Sequence, residues 1–176
     1  PGFRWVHESF GTNWRMIEMQ AVIGRIQLRR MSEWTKRRGD NARRILDTCR
    51  EFSAIRVPEF RCGACSGSCP VGAGCVHAQY KTYVFVRPER LKDGWTRSRI
   101  IDEINRAGVP CYQGSCSEVY LEKAFDGTGW RPEARLPAAK ELGETALMFL
   151  VHPTLTDAEI DKTCAVIRRV MGAASA

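Results

Sequence analysis

Four cysteines fall within one short stretch, Cys62, Cys65, Cys69 and Cys75, among Gly63, Gly67, Gly72 and Gly74. Thiolates are soft ligands. Four of them on a backbone that glycines allow to fold back could wrap a tetrahedral zinc. The C-x2-C half has a common ligand spacing, whereas the C-x5-C half matches no standard zinc knuckle. Pro70 after Cys69 is a feature of iron–sulfur loops, but the spacing differs from theirs. A glycine-rich loop of free thiols is the alternative. His77 follows as a fifth candidate ligand, or as a structural residue leading into a strand. Cys111 and Cys116 would act as nucleophiles only beside a base; none is placed near them in sequence, and buried thiols are expected.

A second set of residues precedes the first helical pattern: Gly11-Thr12-Asn13-Trp14-Arg15. Asparagine before a helix is ordinarily an N-cap. A helix start also offers unpaired N–H groups and a positive dipole end, which suit a phosphate. Arg15 is either a solvated helix residue or a guanidinium that grips a diphosphate through paired hydrogen bonds. Glu18 and Gln20 read as helix-stabilising.

The elements that must position these groups follow from hydrophobic period. Residues 1–12 lack one and read as a surface arm. From Trp14 to about Arg38, Met16, Met19, Ile23 and Ile26 recur at helical spacing, and Ile17, Ala21, Gly24, Leu28 and Met31 form a second stripe. Two stripes predict a helix covered on two sides. Gly39-Asp40 predicts a break or kink, after which a second helical stretch runs to about Phe52 with Ala42, Ile45, Leu46 and Cys49 inward. Tyr80–Val86 reads as a strand, Ser98–Ala107 as a helix with Gly108 in the C-cap glycine position, and Val109–Gln113 as a second strand. Glu118–Phe125 reads as a helical turn, and Leu136–Leu142 as a helix ending at Gly143. Ala146–Val151 is a buried strand. Thr156 and Glu159 form a capping box for a last helix with Ile160, Cys164, Ile167 and Val170 inward. The tail 172–176 is expected to fray.

The expected fold class is α+β: long N-terminal helices, then a short antiparallel sheet covered by helices. Residues 1–58 form the arm and long helical region, and 59–176 the α+β small domain with its cysteine-rich loop, 62–75. With 176 residues, 44% hydrophobic and 27% charged, the composition is that of a globular protein. No apolar run reaches the ~18 residues that span a bilayer, so no membrane partner is expected. The opening residues carry no secretory pattern, so a cytoplasmic location is expected. The eight cysteines then do not default to disulfides. The net charge of +7 comes mainly from scattered arginines, with pairs at Arg29-Arg30, Arg37-Arg38 and Arg43-Arg44. These read as solvated helix faces or an attraction for anionic substrates before they read as a nucleic-acid patch.

The segment from Gly11 through Asn13, Arg15, Met16, Glu18, Gln20, Ala21 and Gly24 to Gln27-Leu28 resembles the G-x-N-x-R-M-x-E-x-Q-A-x-x-G-x-x-Q-L segment of the DegT/StrS-type sugar aminotransferases. His77-Ala78-Gln79-Tyr80-Lys81, Gly108-Val109-Pro110 with Tyr112, and the closing Phe149–Thr156 stretch resemble later segments of that family, in the same order. The resemblance implies the small C-terminal domain of a fold-type I pyridoxal-phosphate (PLP) enzyme whose PLP-binding domain and cofactor lysine lie upstream. It implies that Asn13 reaches the PLP phosphate of the neighbouring subunit of a homodimer. It also implies that Arg15 and Tyr112 lie near the substrate, a keto-sugar nucleotide that receives an amino group from an amino-acid donor in amino-sugar and polysaccharide biosynthesis. The family also suggests proteins that dehydrate or regulate instead. Two readings stand apart from it: a metal-binding or redox module centred on Cys62–Cys75, and a basic nucleic-acid-binding domain. No catalytic residue is assigned within this chain. The family's usual short, cysteine-poor link has no counterpart to the cysteine loop, whose purpose the resemblance leaves open. Elemental analysis of chelator-free protein separates its two readings. About one zinc per chain, lost in Cys65→Ser, marks a metal site; four readily alkylated thiols on metal-free protein mark a free loop.

Overall fold

The computed structural model describes residues 10–11, 15–59 and 76–176. Asn13 and Cys62, Cys65, Cys69 and Cys75 lie outside the described residues.

Helix α1 (Glu18–Arg50) is a single helix of 33 residues. Its N-cap is Ile17, whose N–H donates to Oε1 of Gln20 at 3.0 Å, so the cap falls beyond the Asn13 position expected from sequence. The break expected at Gly39-Asp40 is absent. A glycine costs a helix interior only about 1 kcal/mol. Asp40 also receives Lys36 Nζ at 2.7 Å and Arg43 at 3.1 Å, bracing the turns on either side of Gly39. The Lys36 hydrogen bond, opposed by partial desolvation and aided by Arg43, holds the Asp40 carboxyl below its ordinary value.

Strand β1 (Ile55–Arg56) was not expected, because two residues carry no period. Strand β2 (Thr82–Val86) alternates as a half-buried strand should, with Thr82, Val84 and Val86 inward. Helix α2 (Arg97–Arg106) is capped by Thr96, whose Oγ1 accepts from the N–H of Arg99 at 3.1 Å. Gly108 follows it with φ +72°, the left-handed conformation the sequence assigned to it. Strand β3 is only Cys111–Tyr112, shorter than Val109–Gln113, since Pro110 has no N–H for a ladder. Two 3₁₀ turns, Val119–Leu121 and Lys123–Phe125, occupy the predicted helical turn.

Helix α3 (Pro137–Thr145) passes through Gly143 instead of ending there, and leads directly into strand β4 (Ala146–Phe149). Helix α4 (Asp157–Ala174) has the predicted capping box: Glu159 N–H donates to Thr156 Oγ1 and Thr156 N–H to Glu159 Oε2. The tail does not fray as expected. Ala174 is fully buried, its carbonyl accepts from Lys92 N–H at 2.9 Å, and Ala176 N–H donates to Arg90 O at 3.0 Å.

The sheet has the order β1-β2-β4-β3, antiparallel throughout. The second half of α1 with α2 and α4 packs on it around Ile45, Val84, Ile100, Ile104, Phe149 and Ile167. This is the expected α+β class with helices on a short antiparallel sheet. The inward set predicted for α1 (Ala42, Ile45, Leu46, Cys49) is buried as expected, as is that of α4. Polar ties join these helices at their margin: Arg37 and Arg44 each reach Asp157 at 3.0 Å, Arg44 also bonds Asp161, and Arg168 bonds Glu51 at 2.7 Å. One arginine of each of two basic pairs, Arg37 and Arg44, is therefore engaged with α4. Among the described residues, no helix is long and apolar enough to cross a membrane.

The two halves of α1 predict opposite responses to truncation. Ile45→Ala should lower stability by about 2–5 kcal/mol. Ile23→Ala, in the exposed half, should stay within about 0.5 kcal/mol of the parent. Urea titration followed by circular dichroism checks both.

Candidate functional site

The head of α1 carries Arg15, which is exposed. Behind it both predicted apolar stripes are uncovered: Met16 is 72% exposed, Met19 69% and Leu28 64%. The packed half begins near Asn41, roughly 35 Å along the axis from Glu18 at 1.5 Å per residue. This chain therefore presents its first turn and its apolar stripes together, away from its own core. The helix start favours an anion through its dipole, Glu18 in the first turn opposes one, and Arg15 just before it supplies a compensating cation.

Tyr112 is placed by a side-chain clamp. Asn105 Nδ2 donates to Cys111 O at 2.8 Å and Cys111 N–H donates to Asn105 Oδ1 at 3.1 Å. With Cys111 held inward, the strand's alternation turns Tyr112 to the outer face, where it is half exposed. Register puts Tyr112 opposite Met148, and Met148 opposite Tyr83, so the three form one row on that face. Gly114, at φ +89°, presses on Tyr83: a Cβ there would sit 2.5 Å from the ring. Beside this row an open groove of about 480 Å³ is lined by His77, Tyr80, Lys81, Tyr83, Phe85 and Ser115. Lys81 Nζ lies 5.5 Å from the centre of the Tyr80 ring, and the Arg56 guanidinium 4.5 Å from that of Phe85. Arg97 ties the loop after β3 to the end of α3, bonding Gln113 Oε1 at 3.2 Å and Glu144 O at 3.1 Å.

The sequence reading missed a polar network under that loop. Glu118 is buried, and its carboxylate accepts from Tyr120 O–H at 2.7 Å and from both Nε and Nη2 of Arg135. Tyr120 Oη in turn accepts from Leu136 N–H at 2.9 Å. Partial desolvation first, then the Glu118 bond, push the Tyr120 hydroxyl above its ordinary value; the Glu118 bond raises Arg135. Arg131 bonds the carbonyls of Tyr120 and Glu122. Only the unusual burial of a charge betrays this network, and burial is invisible in a loop without period.

His77 Nδ1 accepts from Gln79 N–H at 3.0 Å across a turn with Gln79 at φ +46°. His152 sits 6.5 Å from the Trp34 ring centre, and its carbonyl accepts from Asn41. Cys111 is buried and Cys116 half-buried. No group of three or more His, Cys, Asp or Glu side chains fit to hold a metal occurs among the described residues.

Over residues 2–168 the chain matches the DegT/DnrJ/EryC1/StrS aminotransferase family. The chain belongs to that family. It is similar to an aminotransferase from Psychrobacter cryohalolentis, with 58% identity and a TM-score of 0.80, covering 98% of this chain and 43% of that one. It is 26% identical over 165 residues to the erythromycin biosynthesis sensory transduction protein EryC1 of Saccharopolyspora erythraea, covering 94% of this chain and 40% of EryC1. NtdA of Bacillus subtilis, solved with bound cofactor PMP, shares the fold at a TM-score of 0.69 and 18% identity, over 90% of this chain and 33% of NtdA. The chain thus spans about two fifths or less of the length of these relatives. Within this family segment, Arg15 stands at the head of α1 and Tyr112 on the sheet.

The buried thiols give a pH signature. Burial is the leading cause that pushes Cys49 and Cys111 each up to about 12. Above pH 9 the unfolded chain loses these protons while the folded chain keeps them, so stability should fall as pH rises from about 9 towards 12. At pH 8, iodoacetamide should label Cys116 well ahead of Cys49 and Cys111 in native protein. Mass spectrometry of timed samples and urea titrations at stepped pH check the two outcomes.

Proposed function

We propose that this chain is the rear part of a PLP-dependent aminotransferase that passes an amino group from an amino acid, typically glutamate, to a keto-sugar nucleotide. The observation that carries the reading is the uncovered first half of α1. A helix with two exposed apolar stripes and a phosphate-suited head needs an apolar surface and an anionic ligand supplied from outside this chain. An upstream PLP-binding domain and a second subunit provide both. The family membership supports the same reading, and so does the share of its relatives that the chain spans.

The residues present fit a supporting role toward the cofactor and not its attachment. Five lysines (Lys36, Lys92, Lys123, Lys140 and Lys162) are exposed, and Lys81 lies against the Tyr80 ring. None stands in an enclosed, desolvated pocket of the kind in which a lysine forms a Schiff base. PLP supplies the electron sink for amino transfer when bound. Asn13 would donate its amide N–H to the cofactor phosphate of the neighbouring subunit. Arg15 would pair with the diphosphate of the nucleotide, and Tyr112 would face the substrate from the sheet. The nucleic-acid reading is weaker, since Arg37 and Arg44 are engaged with Asp157 and Asp161. A regulatory member of the family draws support from the name of EryC1, and would retain PLP without turning over substrate.

Two measurements test the proposal. PLP mixed with this chain and reduced with borohydride should leave no stoichiometric adduct on its lysines; such an adduct would place the attachment here. In the intact protein, Asn13→Ala should weaken PLP retention by about 1.5–3 kcal/mol, the worth of a hydrogen bond to a charged group. Unchanged retention would reduce Asn13 to a backbone role.

A further inference from the structure

Helix α2 grips the chain on both sides of Tyr112. From its last turn, Asn105 takes both backbone groups of Cys111: its Nδ2 donates to Cys111 O at 2.8 Å, and its Oδ1 accepts from Cys111 N–H at 3.1 Å. From its first position, Arg97 donates through Nη1 to Gln113 Oε1 at 3.2 Å. The same guanidinium donates to Glu144 O through Nε at 3.1 Å and to Gly143 O through Nη2 at 3.4 Å, so it is also tied to the end of α3. Cys111 and Gln113 are the immediate neighbours of Tyr112, which stays half exposed between them.

Strand β3 lies at an edge of the sheet and has two residues. An edge strand leaves N–H and C=O groups open to water or to another chain. At Cys111 one side-chain amide closes both, offering the donor and the acceptor that a neighbouring strand would supply. Helix α2 is seated by Ile100 and Ile104, both fully buried, so the core carries its two polar ends. Gly108, at φ +72°, turns the chain back from α2, and Pro110 restricts the backbone just before Cys111. Past Gln113, Gly114 at φ +89° lies against the Tyr83 ring, in the space a Cβ would need.

We infer that Asn105 and Arg97 are positioning residues that hold Tyr112 toward the keto-sugar nucleotide. They act through the backbone of Cys111 and the side chain of Gln113, and they limit the backbone freedom of Tyr112 before a ligand arrives. This role rests on the substrate reading of Tyr112 above, whereas the two-sided hold itself does not.

The test uses the intact protein loaded with PLP, in Asn105→Ala, Asn105→Asp, Arg97→Lys and Tyr112→Ala. Asn105→Asp keeps an acceptor for Cys111 N–H and, as a carboxylate, loses the donor to Cys111 O. Arg97→Lys keeps the charge and lacks the planar fork that serves three acceptors at once. Hydrogen exchange of the 110–114 peptide reports the hold. Two half-reactions report its consequence: conversion of bound PLP by glutamate, read by absorbance, and turnover of the UDP and dTDP esters of a 4-keto-6-deoxyhexose. Exchange should quicken in Asn105→Ala and Arg97→Lys, and less so in Asn105→Asp. In Asn105→Ala and Arg97→Lys the KM for the keto-sugar ester should rise about three- to tenfold, the range that one lost hydrogen bond spans, with kcat within about twofold of the parent. The glutamate half-reaction should keep the parent rate. Parental exchange in Asn105→Ala overturns the hold. Equal losses in both half-reactions mark a general loosening of the domain and overturn the positioning role. Quickened exchange with a parental KM overturns it too, provided Tyr112→Ala raises KM. A parental KM in Tyr112→Ala fails the substrate reading itself, and the hold then stands as edge capping only.

Discussion

A helix can hide an apolar stripe only where something covers it, and α1 has such cover over its second half alone. From Asn41 onward its side chains interlock with α4 and the sheet, with Ile45 and Cys49 fully enclosed. Because the helix is continuous through Gly39, that packing also fixes the direction of the uncovered half. The ion pairs from Arg37, Arg44 and Arg168 to the neighbouring segments are exposed and individually weak. Their α1 partners, Arg37, Arg44 and Glu51, recur every seven residues and so line one side of the α1–α4 seam along its length.

The sheet does different work on its two faces. Inward, Val84, Leu147 and Phe149 belong to the core. Outward, Tyr112, Met148 and Tyr83 form a row set by register, and Gly114 lets the following loop lie against it. The Asn105 clamp on Cys111 couples the end of α2 to this row. A two-residue strand has few ladder bonds of its own, and a side chain that satisfies both backbone groups of Cys111 replaces those it lacks.

Buried charge gives the loop between β3 and α3 its order. Glu118 has lost water, and it is compensated by a bidentate arginine and a tyrosine hydroxyl. Removing either partner would strand a carboxylate in a dry site, which is why such a network holds a single conformation. The aromatic residues that meet Phe10 are mounted on that frame. Phe10, ahead of α1, thus meets Phe125 and Trp130 of the loop before α3, residues distant from it in sequence.

Much of this architecture was legible in the residues. The 3.6 period marked both halves of α1, α2 and α4, because local amphipathicity records which side of a helix meets the core; β-branched and aromatic residues marked β2, and a continuous apolar run marked β4. Thr156 with Glu159, and Gly108 after α2, marked their helix ends through backbone chemistry that needs no distant partner. The ordered family segments, from Gly11 to the Phe149–Thr156 stretch, carried the family. Other features depended on contacts between remote residues. Gly39 does not break α1, since flanking ion pairs and packing outweigh the cost of one glycine. The tail is pinned because Arg90 and Lys92 happen to lie beside it. Strand β1 exists only because β2 offers an edge. The sequence by itself determined the elements whose stability is written in local pattern and capping. Tertiary structure alone decided the uncovered half of α1, the Tyr112 row, the Glu118 network and the Phe10 contact, because each depends on which remote groups arrive within a few ångströms.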